Sequence, residues 1–144
     1  MTDLRDSYKA TTLRILVNFQ LLEFALKIYI GRTYELIQAC VGSRVYFDYS
    51  ISDVENFPLE RLLSVFRKLN GNAELLKRLN KLKVDRNHVA HESLLVTMGS
   101  KYDREVVQEK HGEFFHLEDE LSECLKLVLE ETKTINRGFS KDKA

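Results

Sequence analysis

The chain has 144 residues and a mass of 16.8 kDa, with 22 Lys and Arg against 22 Asp and Glu. That length suits one domain, and a 44% hydrophobic fraction is enough for a core, which argues against intrinsic disorder. One Pro and 6 Gly exclude collagen-like and Gly/Pro low-complexity chains, and with Leu, Glu and Lys abundant the composition leans all-α. Met1 to Asp6 has no apolar core of a secretory signal. The most apolar window, Ile15 to Ile30, is short and broken by Glu23 and Lys27, so no membrane span is expected. Cys40 and Cys124 have no metal or redox spacing and read as buried small hydrophobes in a cytoplasmic protein.

The first element is a long helix from Asp3 to Cys40. Leu4, Tyr8, Thr11, Ile15, Phe19, Leu22, Leu26 and Tyr29 recur at steps of three and four, the period of a buried stripe. Val17, Phe24, Ala25 and Ile28 widen it, which predicts more than one neighbour. Gly42-Ser43 ends the helix. Ser43 to Asn56, with Val45-Tyr46-Phe47-Asp48-Tyr49, has no helical period and reads as a connecting loop that could hold a short extended piece. Its aromatics could stack bases, or seal a core edge or a dimer interface.

Pro58 suits the first turn of a second helix over Leu59–Leu69. Asn70-Gly71-Asn72 is a turn, and Asn72 can cap a third helix from Ala73 to about Leu95. Leu75, Leu76, Leu79, Leu82, Val89 and Ala90 are its apolar positions. Between Val96 and Phe115, Gly99-Ser100 and His111-Gly112 bracket a stretch that reads as a short β-hairpin or an irregular excursion. A last helix runs from Leu117 to about Asn136, with Leu121, Cys124, Leu125, Val128 and Leu129 at helical spacing. The expectation is an all-α, up-and-down bundle of four main helices, one domain over 1–139 with a frayed tail at 140–144.

The balanced total conceals an uneven distribution. Residues 1–60 carry a net −2, residues 61–86 a net +6 and residues 87–144 a net −4. Lys77, Arg78, Lys81 and Lys83 belong to the basic middle segment, which could follow a phosphate backbone. The same cations could instead pair with the acidic final helix, Glu118 to Glu131.

The most informative stretch is Asp85-Arg86-Asn87-His88-Val89-Ala90-His91-Glu92. Residues four apart on a helix share a face, so Asn87 and His91 do. Arg86 is about 140° from His91, but its side chain is long enough to curl towards that face. Guanidinium, amide and imidazole suit phosphodiester chemistry: an imidazole can move a proton near neutral pH, and Arg stabilises charge developing on phosphate.

Arg86-Asn87-x-x-x-His91 resembles the R-x(4–6)-H signature of HEPN domains, with a polar residue after the Arg. Leu22-Glu23-x-x-Leu26-Lys27 on a long first helix, a leucine-rich motif helix and a closing helix extend the resemblance over roughly residues 8–137. It implies a helical bundle that dimerises around a shared cleft. It also implies metal-independent endoribonuclease activity of toxin–antitoxin, phage-defence or RNA-processing type, without a cofactor. Carried over by position, Arg86 stabilises the phosphorane. His91 deprotonates the ribose 2′-hydroxyl or protonates the leaving 5′-oxygen, and Asn87 orients the imidazole or a phosphate oxygen. The product would be a 2′,3′-cyclic phosphate. Where related toxins continue R-x(4)-H-x-Tyr, the Tyr being modified by a nucleotidyltransferase antitoxin, this chain has Ser93, which leaves such a partnership in doubt.

Other readings stay open. Arg86 and His91 could belong to a polar interhelical network, Arg86 pairing with Asp85 or the final helix. A non-catalytic module of the same fold could bind a nucleotide or a partner protein. His88 could be a second cleft residue or surface; with Glu92 and His91 it makes only part of a metal site, and no third and fourth ligands stand out. Glu23 could pair with Lys27 along its own helix or face the cleft. A helical adaptor docking through its first helix would leave an exposed apolar stripe between Tyr8 and Tyr29.

Overall fold

The computed structural model describes the backbone of residues 4–98 and 104–142, and side chains over 6–89 and 114–138. Four helices make an all-α bundle: α1 (Leu4–Val41), α2 (Leu59–Leu69), α3 (Ala73–Met98) and α4 (Arg104–Asp142). A short 3-10 turn at Ile51–Asp53 interrupts the loop before α2, and no strand occurs among the described residues.

Along α1 the expected stripe is the buried face: Tyr8, Ile15, Phe19, Leu22, Leu26 and Tyr29 are almost wholly shielded. Gly42 closes the helix at φ +57°, its N–H bonding the Gln38 carbonyl, a left-handed cap that suits a residue without Cβ. The loop then folds back on the end of α1. Phe47 and Tyr49 pack their rings against Tyr34 at 5.9 and 5.6 Å, while Tyr46 stays 90% exposed. A Cβ on Gly31 would stand 2.9 Å from Ile51 Cβ, so glycine permits this close approach.

Pro58 is the N-cap of α2 rather than a first-turn residue, its carbonyl accepting from the Leu62 N–H. Asn72 caps α3 through Oδ1, which accepts from the Leu75 N–H at 3.1 Å. The same turn is fastened to α4, because Asn70 and Asn72 both donate to the Glu131 carboxylate at 3.0 Å.

The hairpin or irregular excursion expected between Val96 and Phe115 does not form where the chain is described. Residues 96–98 complete α3 and residues 104–115 already belong to α4, with residues 99–103 outside the described set. His111-Gly112 therefore lies inside a helix. One interior glycine costs about 1 kcal/mol relative to alanine, which the packing of Phe114, Leu117 and Leu121 offsets. Helix continues through Asp142.

Arg14 reaches Glu118 and Arg32 reaches Asn136, each across 104 positions of sequence. A constant offset means that α1 and α4 run parallel, whereas the first and fourth helices of the expected up-and-down order would run antiparallel. Asn72 meets Glu131 while Arg78 meets Glu120, so α3 runs antiparallel to α4. The core fills the space between these helices.

Candidate functional site

Two helices, α1 and α3, place the motif residues and Glu23. The α3 backbone is helical through Asn87 and His91, which sit one turn, about 6 Å, apart along its axis. Asn87 is exposed; the side chain of His91 lies outside the described residues. Arg86 turns towards α1, its Nη2 lying 3.5 Å from Glu23 Oε1, with side-chain exposures of 38% and 16%. Glu23 therefore faces the motif helix. Among the described residues Arg86 pairs with Glu23 on α1, and with neither Asp85 nor the final helix.

The pair is imperfect. Arg86 Nε and Glu23 Oε1 are both shielded from solvent, and neither makes a hydrogen bond among the described residues. Of the groups meant to converge, the structure describes an anchored guanidinium next to an exposed amide.

The basic segment divides between two surroundings. Arg78 is taken by the final helix: Nε and Nη2 donate to the two Glu120 carboxylate oxygens at 2.7 and 3.0 Å. That fork raises the Arg78 pKa and holds the Glu120 carboxyl below its ordinary value. Lys77 and Lys81 are exposed and Lys83 is half-buried. Hence the pairing with the acidic helix holds for Arg78.

Arg78, Lys81 and His88 line a cavity of about 620 Å³ between α3 and α4, together with Asp85, His116 and Glu120. His88 is thus an exposed rim residue of that cavity. At 100° per residue it projects about 100° from Asn87 and about 60° from His91. Burial pushes the Asp85 carboxyl above its ordinary value, against the opposing pull of Lys81 and His88. Sequence reading gave His116 no role; its four-residue spacing from Glu120 on α4 was the available signal.

The cysteines part company. Cys124 is buried as expected, its thiol pushed up to about 12 by desolvation and by Glu120. Cys40, expected to be buried, is exposed near the end of α1.

One surface feature borders the motif. Leu13, Val17, Leu21 and Phe24 are 64, 45, 48 and 60% exposed and form a line on the side of α1 opposite its buried stripe. Val17 and Phe24, expected to face a second neighbour, have none among the described residues that covers them. Glu23 marks the α3 edge of this line, and Arg14 and Arg32 mark the α4 edge.

No helix among the described residues is long and apolar enough to cross a membrane. No family model, curated protein or solved structure matches the chain.

Proposed function

We propose that this chain is a HEPN-type, metal-independent endoribonuclease acting in the cytoplasm as a homodimer, in a toxin, defence or RNA-processing role. The observation that carries this reading is the Glu23–Arg86 pair, which holds a guanidinium beside exposed Asn87, one turn before His91 on the same helix. In the proposed reaction the 2′-hydroxyl attacks the adjacent phosphorus and the P–O5′ bond breaks. His91 imidazole groups accept the 2′ proton and supply one to the 5′-oxygen, and Arg86 neutralises charge on the phosphorane. Lys77, Lys81 and Lys83 would contribute phosphate contacts.

The α1 stripe supplies the dimer surface in this reading. Its 4-4-3 spacing is that of a helix–helix seam, and antiparallel pairing would set Leu13 against the partner's Phe24 and Val17 against the partner's Leu21. A two-fold axis perpendicular to the paired helices keeps both α3 flanks on one side. Two Arg86-Asn87-x-x-x-His91 segments would then border one cleft. An antitoxin remains part of the proposal only by a route other than tyrosine modification, given Ser93.

The test is incubation with labelled total RNA in EDTA, beside Arg86→Ala and His91→Ala. Cleavage to 2′,3′-cyclic phosphate ends by wild type, lost in both folded variants, supports the reading. Cleavage that persists in both overturns it. The same apolar stripe favours one second reading, a helical docking module without activity. Association through α1 together with no cleavage of any RNA offered would support that module.

A further inference from the structure

Apart from Lys81, the groups that line the cavity between α3 and α4 have no role in the proposed cleavage reaction. Asp85, on the cavity wall, projects about 160° away from Asn87 around α3. Its volume of about 620 Å³ falls within the range of small-molecule sites, which combine an apolar wall with a few convergent polar groups. Here the apolar wall is Val89, Phe114 and Leu117, all buried. Phe114 is held in place by stacking on Tyr8 at 5.2 Å.

The charges at the rim define the ligand. Arg78 and Glu120 satisfy each other through a two-pronged contact that uses Nε and Nη2, leaving the Nη1 donors outside the fork. Lys81 stands four residues before Asp85 on α3, and the two partly cancel. What remains at the mouth is a pair of imidazoles from different helices, His88 and His116, both exposed. Imidazole N–H groups from two helices can both donate to the oxygens of a phosphomonoester. Desolvated Asp85 is placed to accept from a ligand hydroxyl.

We propose that this cavity binds a phosphomonoester with an aromatic or apolar body, its phosphate between Lys81, His88 and His116 and its body against Leu117 and Phe114. The phosphate could belong to a free mononucleotide or to the 5′-phosphorylated end of an RNA. The proposal does not rest on the nuclease reading, with which it shares only Lys81: Asp85, His116 and the apolar wall have no part in the cleavage reaction.

Histidine side-chain NMR signals, only four in this chain, report occupancy directly. The full-length protein is titrated with inorganic phosphate, with AMP and with a short oligoribonucleotide bearing a 5′-phosphate. AMP or the oligonucleotide should shift two histidine signals saturably and bind about tenfold or more tightly than inorganic phosphate. Lys81→Glu and His116→Ala, both at exposed positions, should each weaken that binding about tenfold or more. Lys133→Glu, another exposed charge reversal, should leave it unchanged. AMP as the tighter ligand assigns the site to free nucleotides, and the oligonucleotide as the tighter ligand assigns it to RNA ends. No saturable shift with either organic phosphate, or undiminished binding in folded Lys81→Glu and His116→Ala, would overturn the proposal.

Discussion

Arg86 and Glu23 face each other across the α1–α3 contact at 3.5 Å, yet Arg86 Nε and Glu23 Oε1 are shielded without a hydrogen bond among the described residues. A charge pair so held is well placed to hold a side chain and poorly optimised for stability. Replacing Glu23 by Ala leaves a half-buried guanidinium without its counter-charge. We expect a loss of about 1–2 kcal/mol, below the fully buried case because Arg86 keeps some solvent. Glu23→Gln should lose less, and Arg86→Met, which removes the charge while filling the volume, less still. Urea denaturation of the three variants checks the order.

The two faces of α1 should respond oppositely to truncation. Leu22 is fully buried and Leu21 is 48% exposed, although they are neighbours in sequence. Leu22→Ala should cost about 2–5 kcal/mol, and Leu21→Ala about 0.5 kcal/mol or less at a concentration where the chain is monomeric. If α1 pairs with a second copy, Val17→Glu should lower the mass found by sedimentation without changing the helical circular dichroism signal. An unchanged mass would remove that surface from the dimer.

Acid should act in opposite directions on the two carboxylates of the α3–α4 cavity. Glu120 is held low by its hydrogen bonds from Arg78, so its contribution is present above the unfolded pKa and lost as pH falls through the folded one. Asp85 is held high by burial, so the folded state binds its proton more tightly and stability falls as pH rises past the unfolded value. Glu120→Gln should therefore destabilise at pH 7 and Asp85→Asn should stabilise. Both effects should vanish at a pH where both side chains are protonated. Thermal melts of the two variants in steps from pH 7 downwards provide the comparison, the Glu120 effect persisting to lower pH than the Asp85 effect.

Thiol reactivity separates the cysteines. Cys124, buried with a thiol pushed up to about 12, carries almost no thiolate at pH 8. Cys40 is exposed. Ellman's reagent should titrate one equivalent promptly in the native protein and two in guanidinium chloride. Two prompt equivalents in the native state would contradict the burial of Cys124.

Much of this architecture was legible in sequence because local rules act where the chain is regular. The α1 stripe, the Asn72 cap and the Gly42 end each need only their own neighbourhood to be recognised. The start of α4 was hidden by that same reliance: Gly99-Ser100 and His111-Gly112 are local stop signals, and the packing that overrides the second is distant in sequence. Period alone likewise marks Val17 and Phe24 as apolar without saying whether anything covers them. Glu23 shows a similar limit for the site. An i, i+4 lysine offered it a visible partner in Lys27, while Arg86, 63 positions away, becomes a neighbour only once α3 folds back along α1. The Arg86-Asn87-x-x-x-His91 spacing was legible; the cavity, which needs the α3–α4 register, was not.

The parallel pairing of the first and last helices also governs how the chain can be made. The side of α1 that contacts α4 meets its partner 104 residues further along. At translation rates of about 5–20 residues per second, that helix waits roughly 5–20 seconds on the ribosome before α4 has been synthesised. Its outward line of Leu13, Val17, Leu21 and Phe24 is uncovered for the whole interval, so nascent α1 offers apolar surface on both sides. The final helix is therefore the step that closes the fold, and truncations within α4 should yield aggregation-prone chains rather than smaller stable bundles.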